Sequence, residues 1–187
     1  MKVGILGGSF NPIHNSHIKI IKAVLENKLA NEVWVMPCKV HPLSKEVEDE
    51  AHRADMINLA IKDVDHTKLC DIELKKEGTS YTFETLRELR KIYDHDFYLI
   101  IGSDLLIQMA DWHGREHLQK EAKFIVFKRK EYEIKNPGMQ IESIINFQPD
   151  NISSTKIREK VKQGESIADL VPAAVERYIL KEGLYKD

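Results

Sequence analysis

The chain has 187 residues, 42% hydrophobic and 31% charged, with 28 basic and 30 acidic side chains and a formal charge of −2. That length makes one domain over 1–187 the default and can bury about 70% of the unfolded surface without a disulfide or metal staple. The charge balance argues against duplex nucleic acid as the main partner, since counterion release needs a clustered basic face, and it leaves room for a nucleotide in a local pocket.

Cys38 and Cys70 lie 32 positions apart with no CxxC spacing, the pattern of buried thiols in a reducing compartment. The apolar run after Lys2 is too short for a signal peptide, and no stretch has the length of a membrane span. The expectation is a soluble, cytoplasmic protein with no membrane partner.

Taken in chain order, apolar runs rich in β-branched residues read as strands: KVGILG (2–7), EVWVMP (32–37), KLCDIEL (68–74), FYLIIG (97–102), AKFIVFK (122–128) and, more weakly, SIINFQ (143–148). Between them HIKIIKAVLEN (17–27), EAHRADMINLAIK (50–62) and TFETLRELRKIY (82–93) carry apolar residues at helical spacing. Strand–helix alternation with strands apolar throughout predicts a doubly wound, mainly parallel α/β sheet. NISSTKIREKVKQG (151–164) opens on hydroxyl residues and closes on Gly164. VPAAVERYILKEGLY (171–185) puts Pro172 at a first helical position and Gly183 after a last turn. Both predict a C-terminal helical appendix that closes the sheet.

Two stretches carry chemistry. GGSFNPIHNSH (7–17) follows the first strand. Gly7 and Gly8 allow a sharp turn and let a phosphate approach main-chain N–H groups, and the helix that follows offers its positive end. The run is neither GxGxxG nor a Walker loop, because the P-loop lysine is absent. His14 and His17, three apart, share one face of a first helical turn, where two imidazoles can donate to phosphate oxygens. On spacing alone they read equally as solvated histidines at a helix start; a zinc pair lacks a third ligand. ISSTKIR (152–158) sets hydroxyls at another helix start with Lys156 and Arg158 in its first turn, where cations oppose the macrodipole. A bound triphosphate accounts for them, and so does a plain capped helix.

GGSFNPIHNSH resembles the ATP-binding signature of HxGH-type nucleotidyltransferases, and ISSTKIR resembles their second signature. RADMINLAI (53–61), EGTSYTFETLRELR (77–90), IGSDLLIQMADWHGREHL (101–118) and the ending VPAAVERYILKEGLY are similar to bacterial-type nicotinate-nucleotide adenylyltransferases, over nearly the whole chain. The resemblance implies a Rossmann-like fold and transfer of AMP from ATP to nicotinate mononucleotide, giving deamido-NAD and pyrophosphate. Mg²⁺ is the implied cofactor, held mainly by substrate phosphates rather than by dedicated protein ligands. It makes His14, His17 and Arg158 the catalytic set. The ATP site would comprise these with Gly7, Gly8, Ser9, Phe10, Gly102, Asp104, Ser153, Ser154 and Thr155, and Asp104 would lie near the ribose hydroxyls. With a 3-2-1-4-5 strand order, Gly7 and Gly102 would face one crevice.

For the mononucleotide the resemblance implies Lys45, Thr79, Tyr81, Thr82 and Trp112. The Trp112 indole could stack on the pyridine, and the helix start at TSYT (79–82) could receive the carboxylate; a core tryptophan and ordinary capping are the plain readings. Ser9 and Asn11 stand where the family usually has Thr and Asp, and Ser16 replaces the glycine of HxGH. PCKVHPLSK (37–45) differs from the usual Pro-Pro-His-Lys stretch, which keeps nicotinamide mononucleotide, or dual use, open. The pantetheine-phosphate adenylyltransferase and a catalytically silent nucleotide sensor are the remaining alternatives, and homo-oligomer formation stays open.

Overall fold

The structure is a computed structural model and describes residues 1–39, 48–76, 78–79, 81–128, 134–146, 150 and 152–186. The strands are β1 (Lys2–Gly8), β2 (Glu32–Pro37), β3 (Thr67–Leu69), β4 (Asp96–Gly102), β5 (Lys123–Phe127) and β6 (Gln140–Ile145), all parallel in the order β3-β2-β1-β4-β5-β6. The helices are α1 (Asn15–Glu26), α2 (Glu50–Ile61), α3 (Thr82–Ile92), α4 (Ser103–Gln108), α5 (Arg115–Glu121), α6 (Ser154–Lys162) and α7 (Ala173–Glu182).

Side-chain alternation along the strands builds two cores. Val3, Ile5, Phe97, Leu99, Ile101, Phe124 and Val126 face one side and pack with Leu86 and Leu89 of α3, Leu106 of α4 and Leu118 of α5. Leu6, Tyr98, Ile100, Ile125 and Phe127 face the other, against apolar stripes of α1, α2, α6 and α7. The sheet is therefore covered on both faces, as a parallel sheet requires. The two C-terminal helices close one face: Ile157, Val161, Val175 and Ile179 share a core with Ile21 of α1 and Ile57 of α2.

Four sequence expectations change. The strand expected over 68–74 stops at Leu69. The Cys70 N–H still donates to the Val35 carbonyl, but Leu74 and Lys75 then donate to the Asp71 carbonyl, curling the chain into a turn that carries Glu73 under α3. The last strand lies earlier, at Gln140–Ile145, because its pairing follows β5 from Lys123 onward. Pro172 is the N-cap of α7, one residue before the first helical position. Helices α4 and α5 were not anticipated: at six and seven residues they are too short for periodicity to reveal.

The feature that places the site is a split between the two central strands. β1 pairs with β4 only as far as Leu6–Ile100, yet stays paired with β2 through Gly8–Pro37. Beyond that last shared pair the carboxyl ends of β1 and β4 separate, and a crevice opens where the connections diverge to opposite faces. Gly7 is exposed there, although its strand lies in the middle of the sheet.

Candidate active site

The turn after β1 has no regular structure of its own and is fixed by side chains. Phe10 takes the left-handed conformation (φ 47°), which places its ring edge-on to His17 at 5.0 Å, and the ring is buried. A Cβ at Gly8 would meet that ring at 3.3 Å, whereas one at Gly7 would come no nearer than 3.9 Å to Met36. Packing thus favours glycine at position 8, and position 7 is left bare on the crevice side.

His14 is the extended N-cap of α1 and His17 its third residue. Their rings stack at 3.7 Å, and the His14 N–H donates to His17 Nδ1 at 3.2 Å. Because Nδ1 accepts that bond, the neutral His17 ring carries its proton on Nε2, which makes Nε2 a donor. The expected pairing of His14 and His17 on one first turn is present.

The second signature is fastened to the first. Ser153 caps α6 by accepting from the Lys156 N–H (3.2 Å), and Ser154 Oγ donates to the Pro12 carbonyl (2.9 Å). Arg158 donates to the Asn11 carbonyl (2.8 Å) and, at 3.5 Å, to the Thr155 hydroxyl. Lys156 lies in the first turn of α6, but Arg158 is the fifth residue, one turn further in. From there its guanidinium reaches the Asn11 carbonyl, beside the Pro12 carbonyl that Ser154 holds from the first turn. Ser16, which replaces a motif glycine, is buried and donates to the Asp150 carbonyl at 3.1 Å. Across the crevice Gly102 is the N-cap of α4, and Asp104 stands half-buried in its first turn.

The residues expected on the mononucleotide side come from separate elements. Tyr81 is the N-cap of α3 and Thr82 its first residue. Trp112 follows a single 3₁₀ turn (Met109–Asp111) and packs, half-buried, against the α3 face of the sheet. Its neighbour His113 lies on the Tyr81 ring at 4.3 Å, so the Trp112 segment and the start of α3 meet. Gly114 follows at φ 73°, and a Cβ there would lie 2.2 Å from Phe83, so only glycine fits. Thr79 is exposed, and Lys45 lies outside the described residues.

A cytidylyltransferase-like family model matches residues 5–160. "Probable nicotinate-nucleotide adenylyltransferase" from Lachnoclostridium phytofermentans is 36% identical, covering 98% of each chain. The protein of that name from Exiguobacterium sibiricum is 34% identical over 99% of each chain. The chain belongs to the nicotinate-nucleotide adenylyltransferase family. Among solved structures, Plasmodium falciparum nicotinic acid mononucleotide adenylyltransferase complexed with NaAD superposes with a TM-score of 0.84 at 25% identity, covering 98% of this chain and 97% of that one. The Rossmann-like fold that the resemblance implies, and the parallel sheet expected from the strand–helix alternation, are the fold observed.

In this member of the adenylyltransferase family three residues matter to the site beyond those picked from the sequence. Arg53, 1% exposed, donates to the carbonyls of Ser9, Cys38 and Glu48 at 2.8–2.9 Å and, at 3.5 Å, to that of Lys39. It thereby joins the turn after β1 to the end of β2 and the approach to α2. Asn11 Oδ1 accepts from the Glu48 N–H (3.1 Å) and from the Tyr185 hydroxyl (2.9 Å). Burial raises the Tyr185 phenol well above its ordinary pKa, which keeps it a donor. For Arg53 a signal existed: it sits three and four residues before Met56 and Ile57, on the apolar stripe of α2, where a charge is unexpected. Asn11 and Tyr185 stand 174 positions apart, and no local pattern could pair them.

Proposed function

We propose that the chain transfers AMP from ATP to nicotinate mononucleotide. An oxygen of the mononucleotide phosphate attacks the α-phosphorus of ATP in line, the bond to the β-phosphate oxygen breaks, and pyrophosphate leaves with the electron pair. The nucleophile is already an anion, so no base or covalent intermediate is required, and the protein's contribution is position and charge. His14, His17 and Arg158 donate to the phosphates as negative charge moves onto the leaving group, with Thr155 and main-chain N–H groups of the turn beside them. Asp104 takes the ribose hydroxyls. Ser153 and Ser154 act by holding α6 against the turn.

The observation that carries this reading is the fastening of Ser154 and Arg158 to the Pro12 and Asn11 carbonyls, at the mouth of the β1–β4 split. That arrangement brings three cationic or imidazole donors to one crevice. It also supports a phosphate ligand over plain capping, since capping does not need a guanidinium held there.

On the other side, the positive end of α3 suits a carboxylate, and Trp112 supplies a flat apolar surface for the pyridine. Mg²⁺ belongs to the same proposal. Among the described residues no three His, Cys, Asp or Glu side chains gather as a metal cage, and Mg²⁺ is readily held by substrate phosphates. The ion would therefore travel on the phosphates and offset their charge. The same described residues contain no helix long and apolar enough to cross a membrane, and a cytoplasmic location is proposed from the two buried free thiols.

One coupled assay tests the reading: ATP, Mg²⁺ and either nicotinate or nicotinamide mononucleotide, with pyrophosphate release measured. Turnover with nicotinate mononucleotide is expected. Release with neither would overturn the reading, and a ratio favouring the amide would reassign the second substrate.

A further inference from the structure

Asn11 is hydrogen-bonded to two groups through two different oxygens. Its side-chain oxygen receives the Tyr185 hydroxyl at 2.9 Å, and its main-chain oxygen receives Arg158 at 2.8 Å. We propose that Tyr185 is a positioning residue for adenylyl transfer, holding Asn11 so that its carbonyl fixes the Arg158 guanidinium toward the phosphates. The inference deepens the functional reading above and rests on the role given there to Arg158.

Three observations argue for it. Tyr185 has a φ of 64°, left-handed and unfavourable for a non-glycine residue, so surrounding contacts impose it. The ring is anchored separately, against the core shared by α1, α2, α6 and α7. Anchoring the ring leaves the hydroxyl at a defined point, and that point is an atom of the phosphate turn. Asn11 Oδ1 keeps its second donor, the Glu48 N–H, when the phenol is removed. Loss of the hydroxyl therefore loosens the turn without stranding a buried acceptor.

Tyr185 contributes no atom to the substrates, which sets the form of the test. Tyr185→Phe keeps the ring and its packing and removes one hydrogen bond. It is expected to lower kcat about 3- to 10-fold, the weight of one such bond, with the KM for the mononucleotide unchanged and the thermal midpoint close to that of the parent. The deciding measurement is the same substitution made in an Arg158→Lys background, where the guanidinium is already gone. If Tyr185 acts through Arg158, its penalty disappears there. An equal penalty in both backgrounds, or none in the parent, overturns the proposal. Failure of the underlying reading is seen separately, as an Arg158→Lys protein as active as the parent.

Discussion

The two halves of the crevice are built in different ways. The half proposed to hold the phosphates is cross-braced: Ser154, Arg158 and Arg53 donate to the main-chain carbonyls of Ser9, Asn11, Pro12, Cys38 and Glu48, and Tyr185 closes onto Asn11. The mononucleotide half is held by ring contacts, with His113 on Tyr81 and Phe83 between His117 and Gly114, on half-buried or exposed residues. Carbonyl oxygens held by directional hydrogen bonds allow little displacement, whereas tilted rings are held by weaker, less directional contacts. Charge stabilisation needs donors fixed before the reaction begins, and recognition of a flat ring tolerates adjustment. Damage to the first half should therefore appear in kcat or in folding, and damage to the second in KM.

The largest expected effect is on the phosphate half. His17→Ala should lower kcat about 100- to 1000-fold, the effect of removing one preorganised donor, while binding of the mononucleotide, followed by calorimetry, stays nearly intact. Next comes Arg53→Met, which leaves several buried carbonyls without their donor. It should cost about 3 kcal/mol or more of stability, read as an earlier urea midpoint, with Arg53→Lys recovering part of the loss. Trp112→Leu, on the other half, should raise the KM for the mononucleotide up to about tenfold, in line with the 0.5–1.5 kcal/mol of an aromatic pair, and leave the KM for ATP alone. A larger fall in kcat for Trp112→Leu than for His17→Ala would break the comparison.

The smallest effect concerns Glu73, buried below α3 and accepting from the Thr85 hydroxyl at 2.8 Å. Burial holds its carboxyl above the ordinary 4.5. A carboxyl with a raised value in the folded state binds its proton more tightly there than in the unfolded chain. The stability it contributes is therefore complete below about the ordinary value and declines as pH climbs through the raised one. Glu73→Gln should remove that decline, so that the thermal midpoints of parent and variant diverge as pH rises from 4 toward 8. Parallel midpoints across that range would assign the carboxyl an ordinary value.

The two halves also differed in how much the sequence disclosed. GGSFNPIHNSH and ISSTKIR were legible through their resemblance to two family signatures; spacing alone put His14 and His17 on one face and left a plain capped helix start equally open. The parallel sheet was legible because strands buried on both sides read as unbroken apolar runs, and its order followed from the family resemblance. What escaped was non-local or short. The brace from Tyr185 to Asn11 has no periodicity, α4 and α5 fall below the length at which a stripe emerges, and the curl after Leu69, closed by main-chain bonds to the Asp71 carbonyl, interrupts an apolar run that reads as strand. Arg53 was visible as a charge on an apolar stripe, but its four carbonyl partners come from three separate segments.

The contact between Tyr185 and Asn11 has a consequence for the order in which the protein is made. Ribosomes release the amino end first, so the phosphate turn emerges when almost all of the chain has still to be translated. The phenol that steadies it is incorporated 174 residues later. A nascent chain can carry both histidines and the complete β1–α1 connection while its arginine grip on α6 is still unbraced. Full catalytic competence would then arrive late in synthesis, after most of the sheet is already assembled.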